Sequence, residues 1–139
     1  AAAEYLKPIL IFDLGTATTL SVVDKRGNYV GGMIIPGIAI SLEALSSHTS
    51  QLPHINLEGP KRVIGTNTID CMKSGIVYGN AAMIDGIIER VSQELGEKPT
   101  VVATGGLAPN ITKYCKSDII CDSELILKGL RILYNKNKP

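Results

Sequence analysis

Residues 12–19, Phe-Asp-Leu-Gly-Thr-Ala-Thr-Thr, place a carboxylate, a glycine and three hydroxyls directly after the apolar run Ile9-Leu10-Ile11. Phosphate oxygens need hydrogen-bond donors and a positive counter-charge, and a carboxylate can hold a cation that supplies it. Asp13, Gly15, Thr16, Thr18 and Thr19 are therefore suitable residue types at suitable spacing for a phosphate-and-cation site. Alone the motif is weak, because Asp-x-Gly-Thr also occurs in ordinary polar hairpins. A second stretch, Thr104-Gly105-Gly106, follows a β-branched run from Thr100. Two adjacent glycines there would let a base or ribose lie against the main chain. The alternative is plain strand-to-helix turning.

Other chemistry-bearing residues are less promising. Cys71, Cys115 and Cys121 are odd in number and lack Cys-x-x-Cys spacing, which argues against a disulfide framework and against zinc. They read as small buried residues, with room for one exposed thiol. His48 and His54 flank a polar loop with no further ligand at metal spacing. Asp24, Asp70 and Asp85 are candidate acids, but one sits beside a hairpin and two on a helix flank, where solvated or capping roles are common.

Composition limits the classes available. A chain of 139 residues suits one domain that buries roughly two thirds of its unfolded surface. With 45% hydrophobic residues, 19% charged and a net charge of +1, charge alone draws it to neither nucleic acid nor membrane. No apolar run approaches the ~20 residues of a membrane helix. The opening Ala-Ala-Ala-Glu-Tyr-Leu-Lys-Pro lacks the basic start and apolar core of a signal peptide, so a cytoplasmic protein is expected.

The elements that would position these residues follow in order. Strands are expected over Ile9–Asp13, Leu20–Asp24 and Tyr29–Ile35, the last two joined by the hairpin signal Lys25-Arg26-Gly27-Asn28. A helix is expected over Ala39–Ser47, then a long irregular connection over Ser46–Gly65. Thr66-Asn67-Thr68 caps a long helical pattern that reaches Val91, as one helix or two. On it Gly75, Gly79, Ala82 and Gly86 leave one face smooth, either to seat the helix closely on its own sheet or to meet another chain. A strand over Thr100–Ala103, a helix over Leu107–Cys115, a strand over Asp118–Cys121 and a final helix from Asp122 or Ser123 complete the chain. The pattern is that of an α/β ribonuclease-H-like lobe, with a mixed five-stranded sheet and the order βββαβαβα.

Six stretches taken together are more specific: FDLGTATT, GGMIIPGI, Ile64–Thr68, Ser74–Gly79, Asp85–Arg90 and Ala103–Ala108. In this order, over essentially the whole chain, they resemble type III pantothenate kinase, a family of the sugar kinase, Hsp70 and actin superfamily that includes proteins once labelled Bvg accessory factors. The resemblance implies an enzyme that uses ATP, Mg²⁺ and a monovalent cation, potassium or ammonium, to phosphorylate pantothenate. It implies that Asp13 is the monovalent-cation ligand and that Thr16 contacts ATP phosphate. Gly105 and Gly106, with Gly15 at the phosphate turn, match the nucleotide-binding motifs. Thr68 would hydrogen-bond pantothenate, reaching from one subunit into the site of its partner in a homodimer. Capping the long helix is the competing role for Thr68.

The resemblance also implies a gap. Family members carry an amino-terminal lobe with Asp-x-Gly-Asn-Thr and a Gly-Ala-Asp-Arg motif whose aspartate is the general base, and neither motif is in this sequence. Residues 1–139 are thus expected to be one lobe, equivalent to the carboxy-terminal half of the kinase and inactive alone. A non-catalytic nucleotide-binding or regulatory module of the Bvg accessory factor type is the alternative. A phosphotransferase for acetate or a sugar is a more distant one.

Overall fold

The computed structural model describes residues 1–48 and 52–138. Three antiparallel strands open the chain: β1 (Ile9–Leu14), β2 (Ala17–Val23) and β3 (Tyr29–Pro36). In β2 Thr18, Leu20 and Val22 are buried and alternate with half-buried Ala17, Thr19 and Ser21, the period-two pattern of a strand with one face on a core. Asp24 holds the β2–β3 turn, its carboxylate accepting from the main-chain N–H groups of Arg26 (2.9 Å) and Asn28 (2.8 Å). The hydrogen bond from the Asn28 main chain is the leading cause that keeps its carboxyl below the usual carboxylate range.

Two helices, α1 (Ile38–Ser47) and α2 (Thr68–Leu95), lead to β4 (Thr100–Thr104), which pairs parallel to β1. Next come α3 (Ala108–Thr112), β5 (Ile120–Cys121), parallel to β4, and α4 (Leu125–Asn137). The sheet order is β3-β2-β1-β4-β5. One face packs Leu10, Phe12, Leu14, Leu20 and Val101 against Ile76, Val77, Ile84 and Ile88 of α2 and Ile111 of α3. The other carries a smaller cluster, in which Ile9, Val23 and Val102 meet Leu125 of α4 and the half-buried Ala1 and Tyr5.

The expected mixed five-stranded sheet is present, and the helices expected over Ala39–Ser47 and after Thr66-Asn67-Thr68 are α1 and α2, two helices where the order βββαβαβα writes one. Residues 17–19, expected in the β1–β2 turn, are strand, because the turn closes within Gly15-Thr16. α3 is five residues long and stops at Thr112, short of Cys115, while β5 has only two residues and α4 starts at Leu125. Asp122 does not begin the helix: its side chain accepts from the Glu124 N–H at 3.1 Å in the turn before it. Within the irregular connection, 49–51 lie outside the described residues.

α2 is one helix of 28 residues, capped by Asn67, whose side chain accepts from the Asp70 N–H, and closed by Gly96. Its smooth face is not the one seated on the sheet. Gly75, Gly79 and Ala82 are exposed, and a Cβ built at Gly75, Gly79 or Gly86 meets nothing within 4 Å. At Gly37, by contrast, a Cβ would overlap the carbonyl of Thr16, so only glycine lets α1 start against the β1–β2 turn.

Two opposite substitutions follow. Gly79→Ala is expected to raise the urea midpoint, by up to about 1 kcal/mol in stability, as an open helical position gains an alanine. Gly37→Ala is expected to lower stability by about 1–3 kcal/mol through overpacking against Thr16.

Candidate cation and phosphate site

Asp13 lies next to last in β1, opposite Thr19 of β2 and Thr104 of β4. Strand alternation puts all three on the face shared by Ile9, Ile11 and Val102, away from the main core. They form a row of oxygen-bearing side chains across three strands where β1 and β4 both end.

The main chain closes around the carboxylate. Gly105 has φ +96°, and a Cβ there would stand 2.7 Å from the Leu14 carbonyl oxygen and 2.8 Å from Asp13 Oδ1. A Cβ on Gly15 would stand 3.3 Å from the same Oδ1. The Leu107 N–H donates to the Leu14 carbonyl (3.4 Å) and the Ala108 N–H to Gly105 (3.2 Å), tying this loop to the strand end. Among the described residues no hydrogen bond or ion pair engages the half-buried Asp13 carboxylate. An unpartnered carboxylate, flanked by Thr19 and Thr104 and pressed by a main chain that tolerates no side chain, is an oxygen donor set of the kind hard cations take. The donor set fits a monovalent cation, which Asp13 would hold beside the turn.

The other residues singled out divide by position. Thr16 is exposed on the β1–β2 turn, next to the Asp13 cradle. Gly106 is exposed, and a Cβ on it meets nothing within 4 Å, so its surface is open where that of Gly105 is occupied by Asp13 and Leu14. Thr18 is no part of the site. It is 1% exposed, on the core face across from Leu14 and Ile35, and its hydroxyl has no partner among the described residues.

Thr68 stands apart. At roughly 1.5 Å per residue the 28 residues of α2 span about 42 Å, twice the roughly 20 Å of β1. The carboxy-terminal end of α2 lies with Val91 and Leu95 beside Val22 and Gly31, at the far end of β2. Its amino-terminal end therefore projects well past the sheet on the core side, where exposed Thr68 lines a shallow groove with Leu45, Gly65 and Met72. The cap is Asn67, not Thr68. Within one chain Asp13, Thr16, Gly15, Gly105 and Gly106 come together and Thr68 does not.

The three acids singled out in the sequence, Asp24, Asp70 and Asp85, are all engaged elsewhere. Asp70 is held by Asn67 Nδ2 at 2.8 Å. Asp85 accepts from the N–H groups of Lys116 (2.8 Å) and Ser117 (2.9 Å); burial pushes its carboxyl up, but these donors outweigh it and hold the pKa below the usual value. Asp24 belongs to its turn. Among the described residues no group of three or more His, Cys, Asp or Glu could hold a metal. All three cysteines are free, and two of them, Cys71 and Cys121, are exposed, one more than expected. Burial, followed by the charges of Asp85 and Cys121, pushes the Cys115 thiol up to about 12.

One buried acid escaped the sequence reading. Asp122 is 7% exposed and accepts from Tyr5 Oη (2.7 Å) and Lys128 Nζ (2.8 Å), and Lys128 also pairs with Glu4 at 3.4 Å. The Lys128 hydrogen bond, then that of Tyr5, keeps the carboxyl below its usual range. No local signal could reveal it, since Tyr5 and Asp122 are 117 residues apart.

A mixed sheet ordered 3-2-1-4-5 with helices packed on it defines a lobe of the actin-like fold. Two solved structures share this fold: a Baf family transcriptional activator from Campylobacter jejuni (TM-score 0.70, 22% identity, 98% of this chain and 61% of that one) and the Alp12 filament (TM-score 0.62, 13% identity, 94% and 46%). The model of the type III pantothenate kinase family matches residues 1–90. Type III pantothenate kinases of Rhodospirillum rubrum and of an Exiguobacterium species are 45% and 48% identical over 100% and 98% of this chain. The chain belongs to the type III pantothenate kinase family. It spans about half the length of these relatives, 54% and 53%.

Gly105→Ala is expected to destabilise the chain by more than about 1 kcal/mol in urea unfolding, since it adds strain at positive φ to the overlap with Asp13 and Leu14. Asp85 supplies a pH test. Its folded pKa is depressed, so its contribution is present above the unfolded value of 3.8 and is lost as pH falls through the lower folded value. In urea unfolding across pH, wild type should exceed Asp85→Asn in stability at neutral pH, and the gap should close as pH falls below 3.8.

Proposed function

We propose that this lobe is the carboxy-terminal half of a kinase that transfers the γ-phosphate of ATP to the 4′-hydroxyl of pantothenate, the first step toward coenzyme A. The observation that carries the reading is the unpartnered Asp13 carboxylate, pressed by Gly15 and Gly105 beside the free hydroxyl of Thr16, in a member of this family. Thr16 hydrogen-bonds a phosphate oxygen of ATP. Asp13 holds potassium or ammonium, which supplies positive charge next to the phosphates. The exposed surface at Gly106 is where the adenosine lies, with Gly105 holding that loop against β1. Mg²⁺ arrives with the nucleotide.

Thr68 binds pantothenate in the site of a partner subunit, and its projection beyond the sheet on the far side from Asp13 supports a role in trans. The open Gly75, Gly79 and Ala82 face of α2 leaves a surface on which two copies can approach closely in a homodimer. Transfer also needs a carboxylate to accept the hydroxyl proton. Asp24, Asp70 and Asp85 are all committed to main-chain or capping hydrogen bonds, so the base comes from the amino-terminal lobe and the chain alone is inactive. The engagement of these acids equally suits a non-catalytic nucleotide-binding module of the Bvg accessory factor type, which would bind ATP without turnover. A cytoplasmic reaction belongs to the same reading.

The test is ADP release with ATP, pantothenate, Mg²⁺ and potassium. The 139-residue chain alone should release none. Together with the amino-terminal half of the Rhodospirillum rubrum relative it should turn over in a pantothenate-dependent way. Thr16→Val should lower that rate roughly tenfold to a hundredfold, the worth of a hydrogen bond to a charged group, and Asp13→Ala should abolish stimulation by potassium. ATP binding with no turnover in the reconstituted pair would favour the non-catalytic module.

A further inference from the structure

α4 is the least buried helix of the lobe for its apolar content. Leu125 is its one buried residue, while Ile126, Leu127, Leu130, Leu133 and Tyr134 are between 57% and 65% or so exposed, Tyr134 reaching 66%. At 100° per residue these five fall on one arc of the helix, turned away from Leu125 and from Lys128. They expose on the order of several hundred Å² of contiguous apolar surface, the size at which such patches mark interaction surfaces rather than random exposure.

The base of α4 is anchored firmly for a helix so little packed. Asp122, just before it, is bound by Tyr5 and Lys128, and Lys128 pairs with Glu4, so residues 1–5 run along the foot of this helix. Any chain preceding Ala1 is thus delivered beside α4, at the high effective concentration of a short tether. The relatives carry nearly as much chain again as this lobe matches.

We infer that the apolar stripe Ile126, Leu127, Leu130, Leu133 and Tyr134 is the docking surface for the amino-terminal half present in full-length relatives, and that α4 with the Tyr5–Asp122–Lys128 anchor joins the two halves. This rests on the reading of the chain as a carboxy-terminal lobe. In this arrangement α4 packs Leu125 on its own sheet and the opposite arc on the other half. The anchor fixes the angle at which the helix is presented.

The test co-expresses the 139-residue chain with the amino-terminal part of the Rhodospirillum rubrum relative that it does not match, and reads complex formation by size-exclusion chromatography with light scattering. A one-to-one complex is expected with the wild-type chain. It should weaken at least tenfold with Leu130→Gln/Leu133→Gln, a pair of exposed positions whose change should leave the circular dichroism and urea midpoint of the lobe alone intact. Hydrogen exchange should show α4 protected in the complex. A complex indifferent to these substitutions, with α4 unprotected, overturns the inference even if the pair is an active kinase. Self-association of the chain through α4, with no uptake of the amino-terminal half, also overturns it. A complex that needs the stripe yet lacks pantothenate-dependent turnover upholds the docking surface and removes the kinase reading instead.

Discussion

The lobe is organised around the contact between the end of β1 and the loop after β4. Gly105 presses its main chain onto the Leu14 carbonyl and the Asp13 carboxylate at distances no other residue would permit. That contact lies where β4 pairs parallel to β1, with Asp13 against Thr104, and it brings main chain up to the Asp13 carboxylate. Among the described residues no side chain pairs with that carboxylate. On the reverse of the same strand Leu10, Phe12 and Leu14 are fully or almost fully buried. One strand thus carries core residues on one face and Asp13, between Thr19 and Thr104, on the other.

Much of this was legible in the sequence because it is local. The alternation in β2, the Lys25–Asn28 turn, the cap before α2 and the end-of-strand placement of both glycine stretches follow from spacing over a few residues. Asp13 and Thr104 could be set at the same sheet end once β1 and β4 were read as neighbours. What local pattern could not show is which face a residue takes. Thr18 looked as serviceable a donor as Thr16, yet parity with Leu20 and Val22 sends it into the core. In α4, Leu125, Leu127, Leu130 and Leu133 share no visible distinction in sequence. The structure buries the first and leaves the other three exposed.

Longer-range couplings were invisible for a different reason. The Tyr5–Asp122–Lys128 anchor joins the two ends of the chain, and nothing near Asp122 announces a buried acid. The smooth face of α2 admitted two readings that only packing could separate, and its glycines prove to be open. The α2 face, the α4 stripe and Thr68 are all turned outward, in a lobe about half the length of its relatives.

The most direct measurement is a crystal structure of the reconstituted pair grown with rubidium in place of potassium, pantothenate and a non-hydrolysable ATP analogue, with rubidium located by anomalous scattering. The account predicts a rubidium peak against Asp13 Oδ1, the analogue's phosphates at the Thr16 hydroxyl, and Thr68 of a second copy on pantothenate. Rubidium absent from Asp13, with the phosphates bound away from the β1–β2 turn, would contradict it.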